Sequence, residues 1–134
     1  MEQDTLAPDV RYATLREGLQ ELIETPPSLR SDGETIAFLQ RVRSQVDYVI
    51  STSVAEFDQW REWGHDGALT ATAWIDTVCH LPKKEARAQL RRGQALAALP
   101  LVAAAWAAGD IGGAHVDAVI VTSGPRPTGR PAGE

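Results

Sequence analysis

Ten consecutive positions hold five basic side chains: Lys83, Lys84, Arg87, Arg91 and Arg92, with Glu85 the one acid among them. On a helix, at about 100° per residue, Lys83, Lys84, Arg87 and Arg91 fall within one quadrant. Ala86, Leu90, Gly93 and Ala97 fall on a neighbouring arc, so one face can pack while the adjacent one is cationic. Cations arrayed in this way suit phosphate oxygens or base edges, which is the chemistry of a DNA-recognition helix. The same pattern also describes an ordinary amphipathic helix with a solvated basic face. The sequence leaves both readings open.

The remaining chemistry-bearing residues do not assemble into a site. His65, His80 and His115 have no partner at metal-ligand spacing, and neither HExxH nor CxxC occurs. Cys79 adjoins His80, but neighbouring residues on a helix point in different directions. Asp110, Asp117 and His115 resemble an acid–base cluster only in composition. There is no glycine-rich phosphate loop, Ser-His-Asp set or defensible carboxylate pair. The sequence therefore predicts no catalytic residue, no cofactor, no metal and no small-molecule substrate, and hence no enzyme.

The elements that would position the basic helix are all helical. Tyr12, Leu15, Leu19, Leu22 and Ile23 recur at helical spacing and predict a first helix over 10–24, ended by Pro26 and Pro27. Asp32 is placed to cap a long helix over 34–63. Its apolar seam comprises Ile36, Leu39, Val42, Val46, Val49, Ile50, Phe57 and Trp60. A short helix from Thr70 or Thr72 to Cys79 follows. Three or four residues of turn then lead through Pro82 into the basic helix over 83–98, at helix-turn-helix spacing. Pro100 opens another helix ending at Gly109, and a last one spans 114–122 after Gly112 and Gly113. No strand-like alternation occurs. The expected fold is all-α: a long helix plus an array of shorter packed helices. Its core candidates are Trp60, Trp63, Trp74, Trp106, Phe38 and Phe57. Residues 1–9 and the Gly/Pro-rich 123–134 read as disordered flanks of one helical domain over 10–122.

Charge limits the partners. Of the 134 residues, 43% are hydrophobic and the net charge is −5. Residues 1–69 carry 13 acids against six bases, whereas 70–122 carry four against five. An acidic N-terminal half argues against wrapping nucleic acid around the whole chain, but it permits one local basic surface. A single cysteine excludes an intrachain disulfide and suits a reducing cytoplasm. No signal peptide is legible, and no apolar run approaches the roughly 20 residues of a membrane helix.

Residues 66–120 resemble the actinobacterial domain of unknown function 222. Trp74, in ATAWI, matches that family's tryptophan motif. Glu85, Ala86, Arg87, Leu90, Ala95, Leu96, Leu99 and Pro100 match its central stretch, and Gly109, Ile111, His115 and Ile120 its ending. Pro82, and a position near Gly112, stand where the family often has serine. The resemblance implies a helical domain that precedes an HNH nuclease. The sequence after Val121, ending GPRPTGRPAGE, resembles neither the family's later helices nor an HNH domain. The expectation is thus a truncated, non-catalytic helical module that binds DNA weakly or positions a nuclease. The alternative is an oligomerisation module that dimerises along the long helix through Leu39, Val46, Ile50 and Phe57, or a remnant without activity.

Overall fold

A computed structural model describes residues 9–123, and every described element is helical. Six α-helices occur in chain order: α1 (Val10–Glu24), α2 (Gly33–Gln59), α3 (Ala71–Cys79), α4 (Lys83–Ala95), α5 (Pro100–Ala107) and α6 (Gly113–Ser123). Short 3₁₀ turns cover Pro27–Arg30, Glu62–Asp66 and Leu96–Ala98. The chain divides into two compact units, one ending at Phe38 and the other beginning at Leu39, so α2 runs from the first into the second. The flanks expected to be disordered, 1–8 and 124–134, lie outside the described residues. Asp9, which that expectation included, instead caps α1: its carboxylate accepts the Arg11 backbone N–H at 2.8 Å.

The first unit is built by local rules. Asp32 caps α2 as its spacing predicts, accepting the Thr35 N–H at 2.9 Å and the Thr35 hydroxyl at 2.8 Å. α1 buries no residue, and Val10, Tyr12 and Ile23 stand largely exposed.

The second unit has a small, dense core. Trp106 and Val116 are fully buried, with Leu96 beside them and Tyr48, Val102, Ile111 and Ile120 packed around. Tyr48 meets Trp106 edge-on, with ring centroids 5.7 Å apart and planes at 83°, a favoured geometry for the two ring quadrupoles. Of the expected core aromatics, Trp63 and Trp106 are buried, and Phe57 and Trp74 stack on each other at 4.8 Å. Phe38 and Trp60 are mostly exposed, against expectation.

α2 stops sooner than its periodicity predicts. The helix ends at Gln59, and Arg61 enters the left-handed region at φ 55°. Trp63 is buried in the 3₁₀ turn that follows. The Arg61 guanidinium then lies 5.0 Å from the Trp63 ring centroid. Tertiary packing here overrides local propensity.

Apart from Tyr48 and the seam residue Phe57, the face that α2 turns to the other helices is made of small side chains, Ser44, Ser51 and Ala55. Ser51 is 1% exposed, and its backbone lies directly against Gly93 of α4. Gly109, at φ 81°, closes on the Arg41 stem, and Gly112 approaches the Ser44 hydroxyl. Arg41 and Gln45 also finish α5. Arg41 donates to the Ala108 carbonyl at 2.7 Å and to Asp110 at 2.9 Å, while Gln45 donates to the Ala107 carbonyl at 3.0 Å. A cation at a helix C-terminus satisfies free carbonyls and complements the dipole. Val46, Val49 and Ile50 lie round the helix from this inner face and keep between a third and three-fifths of their surface exposed.

Candidate nucleic-acid interface

α3 and α4 form the unit that presents the basic side chains. Thr70 caps α3 through its hydroxyl, which accepts the Ala73 N–H at 3.0 Å. Ala71 and Ile75 bury one face of α3, and Trp74 ties its N-terminal half to the preceding turn by donating its indole N–H to Asp66 at 2.6 Å. The turn consists of His80, Leu81 and Pro82. Three residues between the two helices is the connection a helix-turn-helix requires. Pro82 sits at the N-cap of α4 and supplies no side-chain bond, so Glu85 in the first turn is what favours the helix dipole. Ala86 and Ala88, about 200° apart on the helix, are both buried, so α4 packs on two sides.

His80 adopts φ 57° and ψ 41°, a left-handed conformation that costs an L-residue about 1–2 kcal/mol. The turn therefore has a testable signature. His80→Gly should leave the melting temperature unchanged or higher, since relief of strain offsets the added freedom of the unfolded chain. His80→Val should lose about 1–2 kcal/mol, read from urea denaturation.

Lys83, Lys84 and Arg87 are exposed and lie on the first two turns of α4. Arg91 is on the same quadrant with about half of its side chain exposed, but a terminal nitrogen lies 3.5 Å from Asp117 on α6. Arg92 does not belong to this face. It is one residue, and so about 100°, further round the helix, and only 12% of its side chain is exposed. Its Nε and Nη2 donate to the two oxygens of Asp117, both at 2.8 Å. Its remaining nitrogen lies 3.5 Å from Glu85. A guanidinium held in this bidentate fork is a structural clamp between α4 and α6, which removes Arg92 from the phosphate-facing set expected from sequence. The Arg92 hydrogen bonds also hold the Asp117 carboxyl below the usual carboxylate range, with a smaller contribution from Arg91.

No family model, curated protein or solved structure matches this chain. Its functional reading thus rests on the geometry of its own residues.

Beside the clamp, a cleft of 370 Å³ opens between α2, α4 and the start of α6. Arg43 and Asp47 from α2 and Arg92 and Glu85 from α4 line it, so its formal charges cancel and it offers no net attraction to an anion. Gly113 leaves room at its edge for the Arg92 guanidinium, since a Cβ there would come 3.1 Å from Nη1. The histidines stay apart from one another. His65 lies 3.5 Å from Glu62, His80 occupies the turn, and His115 stands exposed on the first turn of α6. Cys79 is exposed and unbonded. Among the described residues, no group of three His, Cys, Asp or Glu side chains is placed to hold a metal ion, and no helix is long and apolar enough to cross a membrane.

The clamp escaped sequence reasoning because its two halves are 25 positions apart in the chain. One signal was available. Arg92 falls outside the quadrant of the other bases, and Glu85, seven residues earlier, lies almost directly beneath it on the helix.

Proposed function

We propose that the chain is a non-catalytic helical module whose α3–α4 unit holds duplex DNA by its phosphates, with α4 as the groove-facing helix. The observation that carries this reading is the free set Lys83, Lys84 and Arg87, exposed together at the N-terminal end of α4 just after a three-residue turn. The N-terminal residues of a recognition helix are those that meet DNA in this architecture.

Binding should be weak, because the acidic N-terminal half opposes it, and it should depend strongly on salt. Three neutralised phosphates give a log–log slope of about −2.7. Fluorescence anisotropy with a labelled duplex across a salt series measures that slope. Changing Lys83, Lys84 and Arg87 to glutamine should abolish most of it and leave the circular dichroism spectrum unchanged. Absence of binding to any duplex at low ionic strength would overturn the proposal.

A second reading, homodimerisation along α2, draws on the exposed Val46, Val49 and Ile50. Phe57 is no longer available to such a contact, since it stacks on Trp74. Sedimentation at tens of micromolar separates the two readings: a dimer without DNA affinity favours the second.

A further inference from the structure

We infer that this surface binds duplex DNA irrespective of base sequence, an inference that rests on the DNA reading above and narrows its partner to the double-helical backbone itself.

Reading a base edge takes particular groups. Asn or Gln pairs with adenine, Arg or Lys meets guanine O6 and N7, and Asp or Glu accepts from cytosine. The exposed quadrant of α4 holds none of these except arginine and lysine, so guanine is the one base it could favour. Glu85 is half-buried and lies beside Arg92, whose guanidinium it faces at 3.5 Å. Gln89 is half-buried. Gln94 is exposed, but it sits near the C-terminal end of α4, away from the groove-entering turns, and its amide points to Asp58 at 3.4 Å.

The arginines are restricted in turn. Arg92 is clamped on Asp117, and Arg91 is drawn toward the same carboxylate. That leaves Arg87 as the single group on α4 able to fork onto a base. Lys83 and Lys84 can reach a guanine, but as point charges on flexible stems they meet phosphate equally well and lack the rigid fork that fixes on a base edge. Phosphate contacts fix position on the duplex and carry no sequence information. One arginine can favour guanine at one base pair, far short of the roughly thousandfold or greater margin that separates specific from non-specific sites.

The test compares duplexes of about 20 base pairs, two helical turns, at one low salt concentration. One duplex has mixed sequence, one alternates A and T, and one contains only G and C. The expected result is dissociation constants within about threefold of one another and a common salt slope of about −2.7. Arg87→Gln should weaken all three duplexes by the same factor. A duplex bound more than about tenfold tighter than the others overturns the inference while leaving the DNA reading intact. So does an Arg87→Gln loss confined to the G·C duplex. If none of the three binds, the DNA reading itself falls and takes this inference with it.

Discussion

Gly93→Ala should destabilise the protein by about 3 kcal/mol or more, although alanine is the better helix former. In the middle of an exposed helix this exchange gains about 0.5–1 kcal/mol. At Gly93, however, the new methyl would fall on the Ser51 carbonyl oxygen, 2.8 Å from the carbonyl carbon and 3.0 Å from the Ala55 Cβ. The obstruction is backbone in the middle of α2, which no rotamer change can move. Overpacking of this kind typically costs 1–3 kcal/mol, and sometimes more when a main chain must shift. The α2–α4 crossing would have to open, which would pull α4 away from the backbone of α2. Gly18→Ala in α1 is the matched control, since a Cβ there meets nothing within 4 Å. It should add helicity and cost no stability. Urea denaturation followed by circular dichroism should therefore move the two variants in opposite directions. If Gly93→Ala is as stable as the parent, the close α2–α4 contact is wrong.

That contact also shows where sequence reading ended. Most helix starts given by a cap or a proline were legible: Asp32 before α2, Thr70 (one of two candidates) before α3, Pro82 before α4 and Pro100 before α5, whereas Asp9 before α1 was read as part of a flank. These signals act within a few residues of the chain. The inner face of α2 was not legible. The seam of Val42, Val46, Val49 and Ile50 is the most apolar stripe of the helix and reads as its buried side. The second unit instead packs on Ser44, Tyr48, Ser51 and Ala55: Gly93 closes on Ser51 and Ala55 and Gly112 on Ser44, where small side chains fit, while Tyr48 meets the buried Trp106. Such a choice depends on residues about 40 to 70 positions away, and no periodicity in α2 contains it. The candidate interface divides in the same way. Lys83, Lys84 and Arg87 followed from helical geometry alone, whereas the loss of Arg92 to the clamp required Asp117, which reads as an ordinary surface acid until α6 is folded beside α4.

Asp117→Ala should cost about 2–3 kcal/mol at neutral pH, and the loss should vanish in acid. Removing one partner of a largely buried pair leaves the other charge uncompensated, which costs about 3–5 kcal/mol when burial is complete. Here the Arg92 side chain keeps 12% of its exposure and Asp117 keeps 31%, and Glu85 remains 3.5 Å from the guanidinium, so the penalty is smaller. Arg92 stays charged at every accessible pH and cannot escape by losing its proton. Replacing both partners, Arg92→Met with Asp117→Ala, should therefore cost less than Asp117→Ala alone. The pH dependence follows from the carboxylate. Hydrogen bonds from Arg92 hold the Asp117 pKa below its unfolded value, which is about 3.9. A depressed carboxylate contributes its full stability above that unfolded value and loses it as the pH falls through the folded one. The gap between parent and Asp117→Ala, measured in urea, should thus be constant from about pH 5 to 7 and close progressively below about pH 4. A gap that persists undiminished into strong acid would mean that Asp117 acts through packing and not through its charge. The clamp would then be no reason for Arg92 to stand apart from the phosphate-facing lysines and arginines of α4.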